Sequence, residues 1–128
     1  MTVIRQEDFI RSVADALQFI SYYHPPDYIR AVGEAWAREQ SPAAKDALAQ
    51  ILHNSRLCAE GHRPICQDTG VVVAFVRVGM EVRWDAELDL AGMVSEGVRR
   101  AYTHPDNPLR ASMVAPPVGR RRNTGDNT

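Results

Sequence analysis

Cysteine is scarce in this sequence, with only Cys58 and Cys66 present. No charged-then-apolar leader opens the chain, so we expect a reducing, cytoplasmic setting. There the two thiols stand as free groups or metal ligands rather than as a disulfide. Long apolar runs are missing too, and no stretch approaches the ~18 residues that a membrane-spanning helix needs. Nor does one charge dominate. Fifteen Lys and Arg face sixteen Asp and Glu, for a formal net charge of -1, which argues against nucleic acid as the main partner. The basic cluster Arg120-Arg121-Arg122 reads as a solvated loop. No segment repeats.

What the sequence does hold is a globular composition, 45% hydrophobic and 24% charged over 128 residues. That suits one domain or part of one, with a core of useful size. Apolar residues Phe9, Ile10, Val13, Leu17 and Ile20 recur at helical spacing, and His24-Pro25-Pro26 stops that helix. Pro26 then suits the first turn of a second helix, with Asp27 near its positive end and Tyr28, Val32, Ala35 and Trp36 on one face. Ser41-Pro42 predicts the N-cap of a third helix, striped by Ala44, Leu48, Ile51 and Leu52 and stopped near Gly61.

The texture then changes. Val71-Val72-Val73-Ala74-Phe75-Val76 has the pattern of a strand buried on both faces. Gly79 allows a turn, and Met80, Val82 and Trp84 alternate with charged residues as in a half-exposed return strand. Asp89 is placed to cap a long helix through Leu90, Met93, Val94, Val98, Ala101 and Tyr102. From His104 onward Pro105, Pro108, Pro116 and Pro117 predict loop. The expected class is therefore α+β: N-terminal helices, a buried strand and short return strand, then a long helix and a proline-rich loop.

Four constellations carry chemistry. In "CQDTG", Cys66, Gln67, Asp68 and Thr69 offer a thiolate, a carboxamide, a carboxylate and a hydroxyl in consecutive positions, and Gly70 permits close backbone approach. Beside the cysteine, Gln67 and Asp68 do not favour a strand interior, although a lone cysteine is usually just a small buried group. Cys58, His62 and Cys66, spaced C-x3-H-x3-C, are the zinc-like alternative, with His53 a fourth donor by helical spacing. Zinc prefers closed four-fold ligation with sharper spacing, which weighs against it. "HPDNPLR" is either a proline-rich turn or a rigid loop presenting Arg110, whose planar fork matches a carboxylate. "NTGDNT" is, taken alone, a set of turn formers.

Taken in order, "ICQDTG" before a Val-rich strand, then "EGVRRAYTHPDNPLR", then "NTGDNT" resembles the start of the class I fumarate hydratases. These are iron–sulfur hydro-lyases, a family shared with the L-tartrate dehydratase α subunit. The resemblance covers essentially the whole chain. Family members continue well past the last motif, so residues 1–128 are expected to be the N-terminal part of a catalytic domain. The resemblance implies a [4Fe–4S] cluster held by three cysteines, with one iron open to substrate. It makes Cys66 the first cluster ligand, sets Gln67 and Asp68 against the substrate with Asp68 a candidate for proton transfer, and makes Arg110 a carboxylate contact. Asn123, Thr124, Asp126 and Asn127 would form the polar turn near the site. The implied reaction is reversible hydration of fumarate to L-malate.

Two cysteines against three required ligands is a departure, since Cys58 matches no family ligand. A cluster is therefore not expected to be stable on this chain alone, and the segment alone is expected to be inactive. Its partners would be a small dicarboxylate and the rest of the polypeptide or a second subunit, in a homo-oligomer when complete, with no nucleic acid and no membrane. The competing readings are a tartrate dehydratase segment, a small metal-binding module using Cys58, His62 and Cys66, and a helical interaction protein without chemistry.

Overall fold

In a computed structural model of the chain, residues 2–65, 71–106, 109–115, 118–119 and 122–128 are described. In order, the elements are β1 (Thr2–Arg5), α1 (Gln6–Tyr22), α2 (Pro26–Arg38), α3 (Pro42–Gly61), β2 (Val82–Asp85), α4 (Leu90–Tyr102), β3 (Val114–Ala115) and β4 (Arg122–Asn123). The class is α+β, as the sequence pattern predicts, although a short strand, β1, precedes the first helix. The chain divides into two compact units, one made of residues 1–18 and 68–128, the other of residues 19–67.

In the first unit α1 and α4 come close at Gly97. A Cβ added there would lie 2.7 Å from both Cβ and Cγ1 of Val13 and 3.0 Å from the carbonyl oxygen of Ile10, so the contact needs a residue without a side chain. Around it Ile10, Met93, Val98, Ala101 and Tyr102 are buried. The Gln18 amide donates to the Ala101 carbonyl at 2.7 Å. Arg100 extends its fork to both carboxylate oxygens of Glu7 and its Nε to Glu96. Asp89 caps α4 as its sequence position predicts, its Oδ1 accepting the Gly92 N–H at 2.7 Å.

The strands differ in part from expectation. β2 holds the predicted alternation, with Val82 and Trp84 half-buried and Arg83 and Asp85 exposed. Its ladder partner is β1, in parallel, with Thr2 opposite Val82 and Arg5 opposite Asp85. Phe9 meets Trp84 edge-on, ring centroids 5.4 Å apart. The Gln6 side-chain oxygen accepts the N–H groups of Glu87 and Leu88. The run 71–78, by contrast, forms no strand among the described residues and is largely exposed, with Phe75 95% accessible. A run apolar on both faces needs cover on both faces and partners at both edges. The described residues give it neither.

In the second unit Tyr22, Cys58 and Ile65 are buried, and the Ile65 N–H donates to the Ser21 carbonyl at 2.8 Å. α2 and α3 start at Pro26 and Pro42 as predicted. Ser41 holds the N-cap position of α3 without a side-chain cap bond. Instead the Glu39 carboxylate accepts the N–H groups of Gln40 and Ser41. Gly61 ends α3, but the left-handed residue is His62, with φ at 46°. Its ring compensates by stacking on Tyr22 and meeting the Tyr23 hydroxyl at 2.9 Å.

Candidate functional site

The "CQDTG" loop and with it Cys66, Gln67 and Asp68 lie outside the described residues. The chain reaches that loop from Ile65, which is buried and tied by its backbone to Ser21.

Arg110 is described. It is exposed, and it follows Leu109, which is buried. After it the backbone is tied down at every residue to β3. The Ala111 carbonyl accepts the Asn123 side-chain amide at 2.8 Å. The N–H groups of Ser112 and Met113 both donate to Oδ1 of Asn127, at 3.0 and 2.9 Å. The Met113 carbonyl accepts the Thr124 N–H at 3.0 Å. β3 and β4 continue the same pairing, with Val114 opposite Asn123 and Ala115 opposite Arg122. The structure thus brings the chain that carries Arg110 and the "NTGDNT" turn together.

The turn itself is folded by its own side chains. Asn123 Oδ1 accepts the Gly125 N–H at 2.7 Å, and Thr124 Oγ1 accepts the Asn127 N–H at 3.0 Å. Gly125 and Asn127 both have positive φ, 82° and 65°, a region glycine enters freely and asparagine tolerates. Asp126 accepts both the N–H and the hydroxyl of Thr128. The backbone N–H first, then the hydroxyl, holds its carboxyl below the usual aspartate range.

The zinc-like set is not assembled by what is described. Cys58 is buried and free, and its thiol points to the Pro64 carbonyl at 3.6 Å. His62 engages Tyr23, and His53 lines open hollows along α3 instead. Among the described residues no three of His, Cys, Asp and Glu gather to hold a metal. For the iron–sulfur cluster that the resemblance implies, the donor set decides. The chain has two cysteines, and Cys58 is committed to the buried end of α3. The residues of this chain by themselves do not fit the cluster.

Sequence reasoning missed two features. One is the double acceptor Asn127. Its only sequence signal is an asparagine two residues after a glycine in a turn-forming string. The other is an open groove of about 760 Å³ in the second unit, lined by His24, Tyr28, Gln50, Asn54 and Ile65 among others. His24 stacks on Tyr28, ring centroids 4.4 Å apart, and its Nδ1 meets the Ser55 hydroxyl. Among the described residues the lining includes neither lysine nor arginine, so these residues offer no fixed cation to a dicarboxylate.

Residues 10–128 match the family described as fumarate hydratase (Fumerase). The chain is 31% identical over 104 residues to a Methanocaldococcus jannaschii protein named "Putative L(+)-tartrate dehydratase subunit alpha". That alignment covers 81% of this chain and 36% of the relative, so the chain spans little more than a third of the relative's length.

Proposed function

Because the chain belongs to the fumarate hydratase family of hydro-lyases, we propose that it forms part of a site that adds water reversibly across fumarate to give L-malate. The observation that carries this reading is the family match over residues 10–128, which includes the segment that carries Arg110 and the turn that holds it. In this reaction an oxygen of water bonds to one alkene carbon and a proton to its neighbour. The reverse step must take a proton from carbon beside a carboxylate, so the developing charge needs fixed donors and cations. Arg110 supplies such a cation: its fork pairs with one substrate carboxylate and orients the molecule. Asp68 holds or moves the proton, and Gln67 donates to a substrate oxygen.

Cys66 contributes one thiolate to a [4Fe–4S] cluster, while the remaining ligands come from the rest of the polypeptide or a second subunit. The exposed, largely apolar run 71–78 supports that partnership, because it leaves apolar side chains open to other polypeptide. The assembly is cytoplasmic and homo-oligomeric. No helix among the described residues is long and apolar enough to cross a membrane.

A second reading, dehydration of L(+)-tartrate, is favoured by the name of the Methanocaldococcus jannaschii relative. Both substrates are small dianions that Arg110 would bind alike. The deciding experiment is to assay the assembled enzyme, prepared without oxygen, for fumarate hydration and for tartrate dehydration at equal concentrations. A higher kcat/KM for fumarate is expected, and a preference for tartrate would establish the second reading. Absence of both activities would overturn the hydro-lyase proposal.

A further inference from the structure

We propose that Asn127 is a positioning residue for Arg110, setting where its guanidinium meets a substrate carboxylate; this rests on the hydro-lyase reading above. Asn127 is only 3% accessible, yet its Oδ1 takes two backbone N–H groups at once, from Ser112 and Met113. Those donors lie two and three residues after Arg110. Both donor residues are half-buried against the buried Asn127 carboxamide, so losing its oxygen would remove the acceptor of two backbone donors and free the backbone to shift.

The other ties leave Arg110 little room of its own. Leu109 before it is buried, and the Ala111 carbonyl after it is held by Asn123. The chain is thus anchored on both sides of Arg110, by the buried Leu109 before it and by the ties at Ala111, Ser112 and Met113 after it. Holding a cation ready in this way is what lets binding energy orient a substrate instead of ordering the protein.

Asparagine suits the position for two separable reasons. It accepts φ near 65°, where most residues are strained. Its side chain is also short enough for the oxygen to turn back on the backbone of Ser112 and Met113. Glycine keeps the first property and loses the second, whereas aspartate keeps the acceptor oxygen and tolerates the same φ. The two substitutions therefore divide backbone conformation from hydrogen bonding.

The test uses the assembled holoenzyme with Asn127→Gly, Asn127→Asp, Arg110→Ala and the Arg110→Ala/Asn127→Gly pair, with two readouts. Amide hydrogen exchange is followed at Ser112 and Met113, and KM and kcat are measured with the preferred dicarboxylate. In Asn127→Gly, exchange at both amides should quicken and KM should rise ~10-fold, with kcat changed less than ~3-fold, as expected when ground-state and transition-state binding are lost together. Asn127→Asp should restore slow exchange and bring KM back to within ~3-fold of wild type, because the acceptor is kept. In the Arg110→Ala background, Asn127→Gly should add no further rise in KM, since the two act through one contact. Three results would overturn the inference: unchanged exchange in Asn127→Gly, slow exchange restored by aspartate without KM, or fully additive effects in the pair. Should the wild-type assembly act on no dicarboxylate at all, the hydro-lyase reading fails and this role falls with it. An active wild type with any of the three contrary results sinks only the role of Asn127.

Discussion

Single side chains divide the work between chemistry and support. If Asp68 moves a proton, Asp68→Asn in the assembled enzyme keeps size and removes the basic oxygen. The expected outcome is a kcat lowered ~10²–10⁴-fold, the usual contribution of a general acid–base group, with iron content unchanged. Cys66→Ala should instead lose iron and the visible absorbance together. Kinetics and iron measured on one preparation separate the two, and near-native kcat in Asp68→Asn would reduce Asp68 to a turn residue. At Glu96 the electrostatics are purely supportive. The Arg99 guanidinium first, then that of Arg100, holds its carboxyl at about 2 instead of the ordinary 4.5. A carboxyl whose folded value is depressed stabilises the protein above its unfolded value and loses that contribution as pH falls toward the folded one. Glu96→Gln should therefore lower Tm at pH 7 and cost progressively less between pH 4.5 and about 2. Both arginines are more than a third accessible, so the effect at neutral pH should be on the order of 1 kcal/mol. An equal Tm difference at pH 7 and pH 2 would contradict this.

Between elements, the critical contact is α1 against α4. Gly97→Ala places a methyl 2.7 Å from Val13, and overpacking of this kind costs ~1–3 kcal/mol. Urea denaturation should show that loss, with partial recovery in Gly97→Ala/Val13→Ala. If the single variant kept wild-type stability, the helices would be less tightly apposed than described. At this scale the sequence was largely legible. The proline starts of α2 and α3 and the Asp89 cap of α4 follow from local rules that act within one turn of helix. β1 was not, because Thr2-Val3-Ile4 is a short apolar string whose meaning depends on Val82–Asp85, far along the chain. The run 71–78 has a strand's composition, but a strand forms only where another chain segment offers its edge. Arg110 was legible as a carboxylate partner by type. What anchors it was not, since nothing local says that the Asn127 oxygen would fold back to Ser112 and Met113.

For the whole molecule, the exposed run sets the expectation. Phe75 at 95% and Met80 at 98% accessibility form part of an apolar ribbon of the kind that marks a contact with other polypeptide. The purified 128-residue chain should bind a hydrophobic dye and self-associate, and Phe75→Asp should weaken both while leaving far-UV circular dichroism unchanged. A monomeric chain indifferent to that substitution would show the ribbon to be covered. After anaerobic treatment with iron and sulfide, the same chain should show no robust fumarate hydration, since its own thiolates are too few. Robust turnover would mean that the ligand set is complete as it stands.

The parallel pairing of β1 with β2 also governs timing. Thr2 and Val82 are roughly eighty residues apart, so the first strand leaves the ribosome long before its partner. At ~5–20 residues per second the wait is roughly 4–16 s. Residues 19–67, contiguous in sequence, are synthesised whole within that interval and are free to fold first. Any closure of the first unit then spans a folded insert rather than a loose loop, which shortens the entropic reach that β1 must overcome. Nascent chains stalled after residue 67 but before residue 82 has emerged from the ribosome should therefore carry a protease-resistant 19–67 core and a cleavable segment 1–18.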